Sequence, residues 1–194
     1  GFKGIGQHRQ QFLNQALVSL NTNLQALNQA LEIVSSDYVD ALSQLILRDQ
    51  TEHLVTSRHT GSYEQSALKE IATRFPHLVI TVVETHTLFN ERQLPFTLSE
   101  LPDSFTPFRK KVESIEIVAP VNAPETLPPR SASNSTEFNR ECINSNAFNG
   151  SEQSALEHLD TYFSSDSPTT YKETRNGLDE WECSTKFSPW LALG

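Results

Sequence analysis

One run, Leu78-Val79-Ile80-Thr81-Val82-Val83, is apolar or β-branched at every position, and it limits the fold more than any other stretch. A strand with one wet face alternates polar and apolar residues, so an unbroken run suits a sheet covered on both faces. His53-Leu54-Val55-Thr56 reads as a second strand. Between the two, Gly61-Ser62 breaks the chain, and residues 63–74 place Ala67, Leu68 and Ile71 along one helical face. Strand, helix, strand in this order implies parallel pairing through a right-handed crossover. Leu31-Glu32-Ile33-Val34 reads as one more short strand, ending at Ser35-Ser36-Asp37. Asp37 is placed to cap a helix over 38–48, packed through Val39, Leu42, Leu45 and Ile46. Residues 8–29 form an amphipathic helix with Leu13, Ala16, Leu17, Leu20, Leu24 and Leu27 on one side. The first half is therefore an open α/β sheet.

Beyond Glu84 the pattern changes. Of the ten prolines, seven fall between Pro95 and Pro129, so residues 89–107 read as an irregular segment docked on the sheet domain. Residues 105–113 form a short helix, and 118–135 an extended stretch. A further helix runs over 151–163, with a cap and an acid in Asn149-Gly150-Ser151-Glu152 and an apolar stripe of Ala155, Leu156, Leu159, Tyr162 and Phe163. The chain then becomes hydroxyl-rich and meets a helix start, with Ser188 available as a cap and Pro189 near the first helical position. Free N–H groups at such a place make a seat for phosphate. A plain helix cap explains the same residues. The expected organisation is an α/β domain over 1–114, a linker over 115–145, and the start of a helical domain over 146–194.

The 194 residues carry a net charge of −9, which excludes binding of nucleic acid over the whole surface while leaving room for a local basic groove. No apolar span reaches about 18 residues, so no membrane partner is expected. The sequence shows no secretory apolar region, and Cys142 and Cys183 have no metal-type spacing, so they read as reduced thiols and the location as cytoplasmic. Asn134-Ser-Thr and Asn149-Gly-Ser match the glycosylation pattern, which means little without a signal peptide. The histidines, His158 among them, are dispersed and make no metal-ligand spacing. Arg109-Lys110-Lys111 reads as a solvated helix face.

Five blocks together resemble the photolyase and cryptochrome family, and within it the DASH-type cryptochromes. They are Gly6-Gln7-His8-Arg9-Gln10-Gln11-Phe12-Leu13; Leu94-Pro95-Phe96 with Leu101-Pro102-Asp103-Ser104-Phe105-Thr106-Pro107-Phe108-Arg109-Lys110-Lys111-Val112-Glu113; Gly150-Ser151-Glu152 on through Tyr162-Phe163; Tyr171-Lys172-Glu173-Thr174-Arg175-Asn176-Gly177; and residues 184–194. The likeness covers nearly the whole chain. Asp179-Glu180-Trp181-Glu182-Cys183 departs from the family pattern, Trp181 standing where a small residue or Tyr is more usual. The resemblance implies the open parallel sheet of the family's N-terminal antenna domain, without its first two strands, then a long linker and the first helices of the all-α FAD-binding domain. A truncated chain is expected on that basis.

The same resemblance implies that Tyr171, Ser184, Thr185, Lys186, Phe187 and Ser188 touch FAD. It places Arg175 near a DNA phosphate path, where an ion pair to Glu173 or Asp179 is the alternative. Glu64 becomes a candidate contact for a methenyltetrahydrofolate antenna, and a first-turn acid facing the helix dipole is the alternative. The implied activity is that of a deoxyribodipyrimidine photo-lyase: light-driven repair of cyclobutane pyrimidine dimers in damaged DNA, single-stranded or flipped out, by a monomeric full-length protein. The 194 residues alone are expected to be inactive. A non-catalytic blue-light photoreceptor and a stand-alone small α/β binding module remain as alternatives.

Overall fold

The strand–helix–strand pattern forms as the sequence predicts. In a computed structural model that describes residues 4–34, 37–119, 121–129, 148–177 and 181–193, β1 (His53–Ser57) and β2 (Val79–Val83) pair in parallel with Leu54 opposite Ile80. Cys142, Asn134, Asp179 and the linker past residue 129 lie outside the described residues. The chain divides into two compact units, Gly1–Ile33 with Pro124–Gly194, and Val34–Ala123.

In the unit Val34–Ala123, α2 (Tyr38–Asp49) begins where Asp37 accepts hydrogen bonds from the amides of Val39 (3.0 Å) and Asp40 (3.3 Å). It ends at Gln50, whose φ of 50° closes the helix in the left-handed region. The crossover between the strands is α3 (Ser62–Arg74). Val39 and Ile46 of α2 meet Ile71 and Phe75 at the end of α3, and Leu78 completes the cluster. Leu54 and Ile80 pack against it from the sheet. Each such side chain withdrawn from water contributes about 1.5–3 kcal/mol.

Among the described residues, the sheet is covered on one face only. Leu54 and Ile80 point to the core, whereas Val55, Val79 and Val83 on the opposite face are 66%, 50% and 40% exposed. The β-branched run therefore reports strand conformation correctly, but not a second covering layer.

Past β2 the irregular segment is pinned by two capped 3₁₀ turns. Asn90 and Gln93 exchange side-chain and backbone hydrogen bonds around Glu91–Gln93, and Thr97 and Glu100 do so around Leu98–Glu100. The Thr97 amide and hydroxyl, donating to Glu100, lower its pKa below the usual carboxylate value. The helix α4 (Phe105–Val112) follows, exposing its basic run: Arg109 pairs with Glu113 at 3.5 Å, and the Lys111 ammonium lies 4.9 Å from the centre of the Phe96 ring.

The other unit opens with α1 (Gln7–Ala26), which closes in a Schellman turn: Gln29 N–H donates to Leu24 O and Asn28 N–H to Gln25 O, with Asn28 at φ 57°. The leucine stripe predicted for this helix stays at best half-buried, and its buried residues are Gln11 and Asn21. Residues 31–34 are not a strand. The Leu31 amide, which a ladder would need, donates instead to Asn21 Oδ1 at 2.9 Å. After residue 148 come α5 (Glu152–Ser164), α6 (Ser167–Thr174) and α7 (Ser188–Leu191). Ser151 caps α5 as predicted, its Oγ accepting from the Ser154 amide at 3.2 Å. Ser188, in contrast, is not a cap: it lies inside α7, and Phe187 occupies the N-cap position with no side-chain hydrogen bond.

Ile71 is fully buried at the centre of its cluster. The variant Ile71→Ala is expected to lower unfolding free energy by about 3 kcal/mol, read as a lower urea midpoint at unchanged slope.

Candidate cofactor site

The C-terminal segment is held from behind by an approach that leaves no room for a side chain. A Cβ on Gly150 would collide with the main-chain carbonyl of Phe12, and the Gly150 amide donates to Gln15 Oε1 at 2.9 Å. This brings Phe12 edge-on to Trp190, ring centres 5.9 Å apart. The indole N–H of Trp190 donates to Asn149 O at 2.7 Å.

A chain of rings continues inward from this contact. Phe148 lies 5.5 Å from Trp190 and 4.8 Å from Trp181. His158 stacks on Trp190 at 5.3 Å and meets Trp181 and Phe187 edge-on at 5.5 and 5.4 Å. Phe187 in turn reaches Tyr162 at 5.4 Å. Such pairs add about 0.5–1.5 kcal/mol each beyond area burial. The His158 Nε2 also lies 2.8 Å from Thr185 O. A carbonyl oxygen can only accept, so the ring must carry its proton on Nε2.

Of the residues expected at FAD, 184–188 sit on or beside this cluster. Ser184, Thr185, Lys186 and Phe187 are half-buried and Ser188 is exposed. Lys186 has φ 56°, an unfavourable conformation for a residue with a Cβ. The hydroxyls of Ser184, Thr185 and Ser188 make no hydrogen bond to another described residue. Three untied hydroxyls and an ammonium are the donor chemistry a diphosphate takes, so these residues fit the group. An apolar cavity of ≈ 630 Å³ lies alongside, lined by Ile5, Phe12, Phe148, Pro189 and Leu193 among others, and none of the three hydroxyls opens into it.

Tyr171 lies in α6 and Arg175 is its C-cap; the Ser and Thr residues of this helix mask it in the sequence, and Pro168 in its first turn is the available signal. No hydrogen bond or ring contact joins Tyr171 to residues 184–188 among the described residues. Arg175 is the exposed C-cap of α6 and makes no ion pair with a described residue. Just beyond it, Gly177 lies so close to Cys183 that a Cβ would strike the Cys183 sulfur. Trp181–Cys183, where the sequence departs from the family pattern, forms a 3₁₀ turn that buries Cys183. Glu64 lies in the other unit, in the first turn of α3, with its carboxylate folded back over Gly61.

The apolar stripe predicted for α5 is only partly the buried one, and His158 lies on the buried face instead of Leu156, Leu159 and Phe163. Leu156, Leu159 and Phe163 are 53%, 41% and 63% exposed, whereas Ala155, His158 and Tyr162 face inward. The spacing 155, 158, 162 was a readable signal of that face. The dispersed histidines also yield one pair, His59 and His86, with rings 4.5 Å apart after β1 and β2. No group of three or more metal-capable side chains occurs among the described residues, nor a helix long and apolar enough to cross a membrane.

The family model described as DNA photolyase matches residues 1–128. Cryptochrome DASH of Idiomarina loihiensis is 42% identical over all of this chain and 44% of its own length; that of Vibrio parahaemolyticus is 44% identical over 98% of this chain and 43% of its own. Among solved structures, a Synechocystis cryptochrome superposes with a TM-score of 0.84 at 29% identity, over the whole chain and 43% of that protein. A class III photolyase from Agrobacterium tumefaciens, at 21% identity and a TM-score of 0.77, shares the fold. The chain belongs to the DNA photolyase family. Within it, the sequence is similar to cryptochromes of the DASH type, and it spans less than half the length of these relatives.

Because a backbone carbonyl cannot swing aside, Gly150→Ala is expected to separate α1 from the start of α5. The expected readouts are a lower melting temperature and a red-shifted tryptophan emission; an unshifted spectrum at wild-type stability contradicts the close approach.

Proposed function

We propose that the full-length protein containing this chain is a flavin-dependent blue-light photolyase of the DASH cryptochrome type, acting on cyclobutane pyrimidine dimers, with a preference for single-stranded DNA. The observation that carries this reading is the untied hydroxyl and ammonium set at Ser184, Thr185, Lys186 and Ser188, in a chain of the DNA photolyase family. These residues hold the FAD diphosphate, and Phe187 and Tyr171 bound the site. When bound and reduced, FAD supplies a light-driven electron to the dimer. The chain's own contribution is to orient the cofactor and to place Arg175 where it meets a DNA phosphate, adding affinity without reading sequence.

Two finer assignments belong to the same reading. Glu64 contacts a folate antenna, and the 194 residues by themselves do not repair DNA, since a diphosphate seat alone seldom retains a whole dinucleotide. Organisation into an α/β part over 1–114, a linker over 115–145 and a helical start over 146–194 goes with it.

The test is blue-light illumination of the full-length protein with a dimer-containing oligonucleotide, single-stranded and duplex, after the flavin absorbance has been recorded. Loss of dimers, faster in the single strand, is expected. Bound, photoreducible flavin with no dimer loss would identify a non-catalytic photoreceptor instead, and no flavin uptake would leave only a binding module. Lys186→Ala is expected to weaken flavin affinity about tenfold. Arg175→Ala is expected to weaken DNA binding alike for all sequences and reduce the slope of log affinity against log salt by about 1.

A further inference from the structure

The backbone around Thr185 and Lys186 takes a form that its own residues do not favour. Lys186 sits at φ 56°, and the neighbouring hydroxyls supply no hydrogen bond to hold it. A conformation of that kind persists only where the surroundings impose it. His158 reaches the turn from α5 by the hydrogen bond between its Nε2 and Thr185 O at 2.8 Å and by edge-on packing against Phe187 at 5.4 Å; Tyr162 and Phe163 of the same helix meet only the Phe187 ring, at 5.4 and 6.2 Å. The imidazole is itself fixed on two other sides, stacked on Trp190 and edge-on to Trp181. A ring so confined has little rotamer freedom left, so its donor stays aimed at one place. Both the neutral Nε2–H tautomer and the imidazolium keep that donor.

From this we infer that His158 is a positioning residue for the cofactor seat. By donating to the Thr185 carbonyl it sets the turn at Lys186, turns the hydroxyls and ammonium of 184–188 outward, and so tunes affinity for the diphosphate of the flavin. The inference rests on the flavin reading above for its ligand, but the latch itself concerns this chain alone.

The donor and the ring make separable contributions. His158→Phe keeps an aromatic ring and loses the donor; His158→Gln keeps an N–H at similar reach and loses the ring. In the full-length protein, amide hydrogen exchange at 185–187 without flavin and flavin affinity by fluorescence titration are measured for each variant. For His158→Phe, exchange at 185–187 is expected to rise, and flavin affinity to fall, by about tenfold each, the effect of one hydrogen bond. His158→Gln is expected to restore most of both. Should His158→Phe fail to fold, His158→Glu gives the same comparison, since it matches Gln in shape and lacks the donor when ionised. Unchanged exchange in the donor-less variant, or better protection in Phe than in Gln, overturns the positioning role whether or not flavin binds. Loosened exchange in a protein whose wild type takes up no flavin overturns the flavin reading and leaves the backbone latch standing.

Discussion

Main chain meets main chain where Gly150 lies on the carbonyl of Phe12, and the organisation of the C-terminal segment follows from that approach. With the backbones so close, the Phe12 ring reaches Trp190, and the contact passes through Phe148, Trp181 and His158 to Phe187. The far end of this chain of rings is the Thr185–Lys186 turn. Helix α7 has four residues and no side-chain cap, too short to persist in water on its own. What keeps it in place is Trp190, anchored at once by its rings and by its N–H to Asn149. A segment poor in intrinsic helix stability is thereby held in one place.

The unit Val34–Ala123 coheres by different means. Its centre is aliphatic, built from α2, α3 and one face of a two-stranded parallel sheet, with Ile71 sealed from solvent. Surface pairing adds little to it: Arg74 spans α3 to α2 through Asp40 at 2.9 Å, in an exposed setting where water screens the pair. Burial of a few large side chains dominates.

The sequence made legible those elements whose signals are local. Asp37 before a helical apolar row defined α2, and β-branched runs defined both strands. Residues 31–34 carry the same local signal and are not a strand, because a strand is made by its neighbour and the Leu31 amide found Asn21 instead. Helix α6 was hidden by Ser and Thr, which favour caps and turns over helix interiors. Residues 184–188 stand out through family likeness and because the stretch opens a helix, though Ser188 lies within that helix and does not cap it. His158 could not be found that way. Its partners at Thr185, Trp181 and Trp190 lie far along the chain, and only the fold brings them to its ring.

The central claim is that the hydroxyls of 184–188, set by the ring cluster behind them, are one side of a flavin diphosphate seat. A crystal structure of the full-length protein with its flavin tests it directly. The account predicts diphosphate oxygens within hydrogen-bond distance of Ser184, Thr185, Lys186 or Ser188, with His158 still holding the Thr185 carbonyl. A flavin seated elsewhere, or these hydroxyls turned inward and bonded within the protein, would contradict it.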